Sequence, residues 1–214
     1  MTENTLGRKI PEKVDNIGIL TPFKGAYEYT PLVKKDKGNR QLPKLNKLID
    51  TIEQVIIKTG LKDGMTISFH HHFRSGDRIV NMVMDVIANM GIKDITIAAS
   101  SLSDVHAPLV KHIKNKVIKR IITSGLRGEL AEAVSNGIME TPVLIHSHGG
   151  RARAIESGQI VIDVAFLGVP SCDVYGNANG YTGKSACGSL GYAMVDAGFA
   201  KKVVLITDNI VEYP

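Results

Sequence analysis

The hydrophobic positions after residue 44 follow two spacings in turn, one typical of helices and one typical of strands. Apolar residues three and four positions apart begin at Leu45 and stop near Gly60, where a glycine can form a helix C-cap. The short apolar run Met65–Phe69 (MTISF) then indicates a buried strand. The pattern therefore predicts a helix over 45–59, followed by a strand.

The same alternation continues to the end of the chain. A second helix is predicted to begin near Asp77, whose carboxylate can accept from the free amides of the first turn, and to end at Gly91. Further strands are predicted in DITIAAS, VIKRIITSG, TPVLIHSHGG, IVIDVAFLG and KKVVLITD, and the third of them runs into a glycine turn. Further helices are predicted in APLVKHI, GELAEAVSNG, RARAIESG and SLGYAMVDAG. This order predicts an α/β fold with a mostly parallel sheet flanked by helices.

The first 42 residues have no sustained period and contain prolines at positions 11, 22 and 31. We therefore expect an extended N-terminal arm over 1–42 and one α/β domain over 43–214. The chain ends at DNIVEYP, directly after a predicted buried strand. This abrupt end leads us to expect that a second domain is absent from the chain.

Composition narrows the possible classes of protein. Of 214 residues, 43% are hydrophobic and 22% charged, which is typical of a globular domain that needs no disulfide or metal for its core. No apolar run approaches a membrane span and no signal sequence is visible, so we expect a cytoplasmic protein with no membrane partner. The net charge of +5 fits an anionic ligand, and without an Arg-rich arm or a DNA-reading helix we expect no nucleic acid.

Polar residues and glycines collect after the predicted strands, where open α/β sheets bind their ligands. The residues that we expect to bind substrate are His70, His71, His72, Arg74, His146, His148, Gly149, Gly150, Arg151, Gly176, Asn177, Asn179 and Gly180. Arginine grips a carboxylate with two donors, imidazoles can donate to an oxyanion, and Gly and Asn turns bring backbone amides close to a ligand. If the sheet is parallel, these loops form a single anion pocket at one edge.

Other chemistries fit the residues less well. The pair His146 and His148 has no further histidine after it and no carboxylate or cysteine at ligand spacing, so we predict no metal site. GYTGKS resembles a phosphate-binding loop, but Ala178 stands where that motif needs glycine. A histidine-rich surface loop without function stays open as an alternative. Cys172 and Cys187 are interpreted as structural rather than nucleophilic.

Two aspartates outside the predicted set of substrate-binding residues also have expected roles. Asp163 is predicted to lie within a strand as a buried, hydrogen-bonded carboxylate, and Asp173 is predicted to orient a donor of the pocket. The residue order does not indicate a Ser-His-Asp triad. We therefore assign no catalytic residue from the sequence.

Four motifs resemble the alpha subunit of bacterial citrate lyase: SFHHHFRSGD, HSHGGRARAI, IDVAFLGVPSCDVYGNANG and VVLITDNIVEYP. The resemblance covers the chain from about Gly18 to its last residue. It implies the coenzyme A transferase fold and a match to the N-terminal one of two related domains. In that wider group a glycine-rich loop follows the first strand, and here HHHFRSGD stands in its place with Gly76 retained.

The resemblance also implies an activity, which is exchange of acetyl for citryl on an acyl carrier protein thioester. It implies no cofactor bound tightly by this chain, because the coenzyme A-derived prosthetic group belongs to the carrier protein. The implied partners are citrate, the acyl carrier protein (gamma) subunit and the lyase (beta) subunit, in a cytoplasmic complex that includes a homo-oligomer. The alternatives are a coenzyme A transferase or thioester hydrolase for another acid, a non-catalytic anion-binding domain and a scaffold domain.

Overall fold

The structure, a computed structural model, describes residues 1–4, 6–22, 45–70, 78–188 and 190–214. The strands in these ranges are β1 (Thr2–Glu3), β2 (Lys9–Ile10), β3 (Lys13–Val14), β4 (Gly18–Ile19), β5 (Thr66–His70), β6 (Ile95–Ala99), β7 (Ile118–Thr123), β8 (Leu144–Ile145), β9 (Val164–Gly168), β10 (Ser171–Cys172), β11 (Ala178–Asn179) and β12 (Lys202–Ile206). The helices are α1 (Ile52–Thr59), α2 (Ile79–Asn89), α3 (Leu109–Lys114), α4 (Gly128–Ser135), α5 (His148–Glu156) and α6 (Gly191–Phe199), with a 3₁₀ turn at Asp104–His106.

Six of the described strands form one parallel sheet, which confirms the predicted α/β architecture. Their order is β12-β9-β5-β6-β7-β8, and every neighbouring pair is parallel. Within this sheet, the chain therefore passes first through β5 and proceeds outward to β8. It then returns to the other side of β5 as β9 and ends at β12. The direction of winding reverses between β5 and β9, and such a switch point is where open α/β sheets bind ligands.

The two faces of the sheet carry separate hydrophobic clusters. Ile67 and Phe69 of β5 belong to the cluster that includes buried side chains of α1, α2, α3 and α4. Ala98 of β6 and Ala165 of β9 belong to the cluster that includes buried side chains of α5 and α6. Because side chains alternate along a strand, Ser68 and His70 point toward the α5 and α6 face.

The first 22 residues form two small antiparallel pairs, β1 with β2 and β3 with β4. Hydrogen bonds attach this segment to the domain: the Asn16 side chain donates to the Glu140 carbonyl at 3.3 Å, and Arg120 donates to the Asn16 carbonyl at 2.9 Å. The predicted boundary at residues 42 and 43 lies outside the described residues. The division into arm and domain therefore stays a prediction.

The first predicted helix begins too early. Residues 45–50 are not helical, and α1 starts after Thr51, whose side chain accepts from the Gln54 amide at 3.2 Å as an N-cap. The Lys47 amide instead donates to the Val174 carbonyl at 2.7 Å. At the other end, Gly60 has a φ of 71° and forms the predicted C-cap. The predicted cap at Asp77 lies outside the described residues, and Arg78 precedes α2.

Asp163 differs from its prediction as well, because it precedes β9 rather than lying within it. Its carboxylate accepts from the Thr66 amide at 2.8 Å and pairs with Lys201 at 2.7 Å. Its backbone carbonyl accepts from the Lys202 amide at 3.0 Å. One residue thus joins the amino ends of β5, β9 and β12, at the edge of the sheet opposite to the predicted pocket.

Candidate functional site at the carboxyl edge of the sheet

His70 is the last residue of β5 and therefore stands at the switch point between β5 and β9. Its partly buried side chain lies on the same face as α5 and α6. Beside it, Gly168 ends β9, where an added Cβ would be 2.5 Å from Ile79 Cδ1 of α2. A larger residue here would require the tip of the Ile79 side chain to shift.

An aromatic side chain from α6 connects two of the predicted loops. The ring centroid of Tyr192 lies 6.2 Å from that of His70 in an edge-to-face arrangement, and 5.4 Å from that of His148. His148 is the first residue of α5, and Tyr192 lies in the first turn of α6. The structure therefore brings the end of β5 and the start of α5 together around Tyr192, a residue that the sequence analysis did not select.

A buried ion pair lies beneath this cluster. Arg151 Nη1 and Nη2 donate to the two carboxylate oxygens of Asp196 at 2.8 and 2.9 Å, and Nη2 also donates to the Ala98 carbonyl at 2.8 Å. Both side chains are completely buried. The Arg151 guanidinium carbon lies 5.6 Å from the centre of the Tyr192 ring, close enough for a cation–π interaction.

This arrangement changes the interpretation of Arg151. The sequence analysis expected it to bind substrate, but its charge is neutralised by Asp196 and it is not exposed. It joins α5, α6 and β6, and it supports the ring of Tyr192 from below. The described contacts thus give Arg151 a positioning role, while its expected contact with substrate stays a prediction.

The start of α5 explains the predicted HSHGG motif. The sequence analysis interpreted these glycines as a turn, whereas His148, Gly149 and Gly150 form the first turn of α5. Ser147 is the N-cap, and its hydroxyl accepts from the Gly150 amide at 3.1 Å. His148 and Gly149 are exposed at a helix N-terminus, where free amides favour negative charge.

His146 lies next to this helix start, within 3.9 Å of an added Cβ on Gly150. Burial lowers the pKa of His146, and the positive charges of Arg153 and Arg151 lower it further. The imidazole is therefore neutral at neutral pH. A neutral ring offers one donor and one acceptor nitrogen, so it can hydrogen-bond a ligand without adding a charge to the site.

The asparagine-rich loop forms a compact turn of its own. Asp173 Oδ1 accepts from the amides of Tyr175 and Asn177 at 2.9 Å each, and the Asn177 side chain donates to Asp173 Oδ2 at 2.7 Å. Burial alone would raise the pKa of Asp173, but these hydrogen bonds outweigh it and lower the pKa. The carboxylate stays ionised and holds the Asn177 side chain, while the expected role of Asn177 as a donor of the pocket stays a prediction. Gly176 completes the turn with a φ of 90°.

Asn179 and Gly180 form the next turn of the same loop. Asn179 Oδ1 accepts from the amides of Tyr181 and Thr182, and its Nδ2 donates to the Thr182 hydroxyl at 2.8 Å. A Cβ on Gly180 would overlap the carbonyl of Gly188. Glycine is needed here for close contact between two backbone segments, whereas the sequence analysis expected it to bring amides to a ligand.

The predicted residues therefore form two groups rather than one. On the side of the sheet covered by α1 and α2, Gly176 and Asp173 line a cavity of about 570 Å³. Lys47, Phe166 and Met82 line it as well. His70 and His148 lie on the side of α5 and α6. In the parts of the chain that the structure describes, no hydrogen bond or ring contact joins Asn177 or Asn179 to the histidines. Among the described residues, the structure thus brings His70 and His148 together around Tyr192, and the single pocket stays a prediction.

Three of the predicted site residues, His71, His72 and Arg74, lie outside the described residues, and their roles stay predictions. Within the described ranges, no group of three or more His, Cys, Asp or Glu side chains is arranged to hold a metal ion. The cysteines are unpaired, and burial raises the pKa of both thiols. No helix in the described part of the chain is long and apolar enough to span a bilayer.

Tyr192 and Asp196 had a weak signal in the sequence. They are four positions apart, so they lie on the same face of a helix. Asp196 is also the only acidic residue in the otherwise apolar helix GYAMVDAGF, and a lone carboxylate on such a helix indicates a buried partner. The identity of that partner, Arg151, depends on how α5 packs against α6.

Comparison with known proteins identifies the family. The family model for the citrate lyase alpha subunit (CitF) matches residues 45–214. A citrate lyase alpha chain from Klebsiella pneumoniae is 57% identical over 195 residues, which is 91% of this chain and 38% of that protein. The Escherichia coli citrate lyase alpha chain is 64% identical over 168 residues, which is 78% of this chain and 33% of that protein.

Solved structures agree with the sequence comparison. The alpha subunit of citrate lyase from Streptococcus mutans, solved in complex with citrate, has a TM-score of 0.82 at 56% identity and covers 99% of this chain and 41% of its own. The malonate decarboxylase alpha subunit from Acinetobacter baumannii, at 14% identity and a TM-score of 0.53 over 75% of this chain and 28% of its own, shares the fold alone. This chain spans less than half the length of the relatives that it matches. By sequence and by fold, it belongs to the citrate lyase alpha subunit family.

Proposed function

We propose that this chain is part of a citrate–acyl-carrier-protein transferase, which exchanges acetyl for citryl on the thioester of an acyl carrier protein. The observation that carries the proposal is the 56% identity, over nearly the whole chain, to a citrate lyase alpha subunit whose structure contains citrate. The histidine cluster at the switch point supports it, because His70, His148 and Tyr192 bring polar side chains to the edge where such sheets bind ligands.

The overall reaction places simple demands on the site. Citrate and an acetyl thioester give a citryl thioester and acetate, so one carbon–sulfur bond breaks and one forms. The carboxylate of citrate is already a nucleophile near neutral pH, so the site needs no strong base to activate it. The chain's task is to hold a polyanion close to a thioester carbonyl and to stabilise the oxyanion that develops there.

The described residues fit this task. The lowered pKa of His146 keeps its ring neutral, and a neutral imidazole can donate one hydrogen bond to an oxyanion. The exposed start of α5 adds backbone amides and a positive helix terminus. One well-placed oxyanion donor is typically worth about 3–4 kcal/mol of transition-state stabilisation. We infer that His71, His72 and Arg74, which directly follow His70, complete the citrate pocket.

The partners follow from the same proposal. The thioester is carried by the coenzyme A-derived arm of a separate acyl carrier protein, and this chain binds no cofactor tightly. A separate lyase subunit cleaves the citryl group afterwards. We place the chain in a multi-subunit cytoplasmic complex that includes a homo-oligomer of the alpha subunit.

Calorimetric titration of the 214-residue chain with citrate tests the proposal first. We expect saturable binding with one site per chain, and weaker binding of acetate and malonate, which carry fewer carboxylates. The second test adds citrate and acetyl-loaded acyl carrier protein to the complete alpha subunit and measures citryl transfer by mass spectrometry of the carrier. If acyl exchange takes place with another acid and not with citrate, the proposed substrate is wrong.

A further inference from the structure

Three buried polar atoms lie on the face of the sheet that is covered by α5 and α6. They are Ser68 Oγ, Arg151 Nε and the Tyr192 hydroxyl, and none of them has a hydrogen-bond partner among the described residues. Buried polar atoms in folded proteins are nearly always hydrogen-bonded, and each one left without a partner lowers stability. Several such atoms on one face point to a guest molecule that can supply the partners.

The sheet register places these atoms in one neighbourhood. Ser68 of β5 is aligned with Ala98 of β6, and the Ala98 carbonyl accepts from Arg151 at 2.8 Å. Ser68 therefore lies one strand away from the anchored guanidinium. The same guanidinium lies 5.6 Å from the ring centre of Tyr192. The three atoms thus lie in one buried neighbourhood between β5, α5 and α6, which we call the Tyr192 cluster.

The hydrogen-bonding capacity of these three atoms indicates which kind of guest molecule they can bind. Arg151 Nε–H can only donate, and the hydroxyls of Ser68 and Tyr192 can both donate. Burial raises the pKa of Tyr192, although the charge of Arg151 opposes this, so the phenol keeps its proton at neutral pH. A guest that accepts several hydrogen bonds fits this set, and a carboxylate is such an acceptor.

We propose that Tyr192 is a specificity-determining residue, whose hydroxyl donates a hydrogen bond to one carboxylate of the acid substrate at the Tyr192 cluster. Ser68 and Arg151 supply further donors behind it. The ion pair with Asp196 holds the guanidinium in place, and Arg151 in turn supports the tyrosine ring. This inference rests on the proposed function, since it assumes that the ligand is a carboxylic acid bound beside His70 and His148.

The variant Tyr192→Phe removes only the hydroxyl and keeps the ring between the two histidines. Hydrogen bonds to charged groups are among the stronger ones in proteins. We therefore expect the Kd for citrate to rise about 10- to 100-fold, which corresponds to about 1.4–2.7 kcal/mol. Ser68→Ala should raise Kd in the same direction by a smaller factor. Tyr213→Phe is the matched control, because Tyr213 is 80% exposed, and it should leave Kd unchanged.

The melting temperature of the ligand-free chain separates a binding role from a structural one. If the hydroxyl has no partner before substrate binds, Tyr192→Phe will melt at the same temperature as the wild type or higher, and citrate will raise its melting temperature less. An unchanged Kd would overturn the proposal. A lower melting temperature with unchanged Kd would instead assign the hydroxyl to a structural water.

A panel of acids keeps this test separate from that of the proposed function. Citrate, tricarballylate, malonate and acetate are titrated into the wild-type chain and the variant. If the wild type binds tricarballylate or malonate but not citrate, the proposed function is wrong, and the Tyr192 proposal is judged on the acid that binds. If the wild type binds none of the four acids, both proposals are overturned.

Discussion

The buried pair of Arg151 and Asp196 allows a sharp prediction about stability. Asp196→Asn keeps the shape of the side chain but removes its charge, so the guanidinium of Arg151 is left without a counter-ion in a site where both side chains are 0% exposed. Breaking a buried pair by removing one partner typically costs about 3–5 kcal/mol, because the remaining charge stays desolvated. We expect a loss of this size in the free energy of unfolding.

A second pair in the same chain provides the control. Lys201 and Asp163 approach to 2.7 Å, but the Lys201 side chain is 64% exposed. Since solvent screens such a pair, Lys201→Met should cost less than about 1 kcal/mol. The double variant Arg151→Met with Asp196→Leu removes both buried charges. It should recover at least about half of the stability that Asp196→Asn loses, because no buried charge remains.

Urea denaturation measures the free energy of unfolding of the wild type, Asp196→Asn, Lys201→Met and the double variant. The midpoint and slope of each transition give the free energy of unfolding, and an unchanged slope shows that the surface exposed on unfolding is the same. The reasoning would be refuted if Asp196→Asn lost less than about 1 kcal/mol, the value for an exposed pair. It would also be refuted if the double variant were less stable than the single one.

Two further predictions concern single residues. Gly180→Ala places a Cβ against the carbonyl of Gly188 and should lower the free energy of unfolding by about 1–3 kcal/mol. Gly149→Ala meets open space in the first turn of α5 and should not lower the urea midpoint, so equal losses in the two variants would contradict this prediction. Burial, Arg153 and Arg151 lower the pKa of His146, so the unfolded chain binds a proton more readily as the pH falls through about 6.5. The wild type should therefore lose melting temperature between about pH 7.5 and 5.5, and His146→Gln should lose less; identical pH profiles would count against this.

The sheet could be predicted from the sequence because its signals are local. Apolar runs separated by helical spacing determine β5, β6, β7, β9 and β12, and every one of these strands overlaps its predicted run, although β9 begins only after Asp163. The start of α1 could not be predicted in the same way. Leu45 and Leu48 continue the helical period, but the Lys47 amide is used by the Val174 carbonyl, a contact 127 residues away in the chain.

The candidate site was predictable only in part, for a related physical reason. His70 and His148 follow strands, so the edge on which they lie follows from the parallel sheet. Which loops then meet depends on the face of the sheet on which each loop lies. It also depends on the strand order, which produces the reversal between β5 and β9. Tyr192 enters the site because α5 packs against α6, through the Arg151–Asp196 pair and a shared hydrophobic cluster. No spacing in the sequence records this contact.

The position of Asp163 has a consequence for how the chain is made. Its carboxylate binds the Thr66 amide across 97 residues, so β5 leaves the ribosome long before its partner β9 exists. At roughly 5–20 residues per second, that interval lasts on the order of 5–20 s. During this interval, the nascent chain exposes the edge of β5 that will later pair with β9. Synthesis of the stretch from Thr66 to Gly168 is thus the period when the chain is most open to pairing with a neighbour.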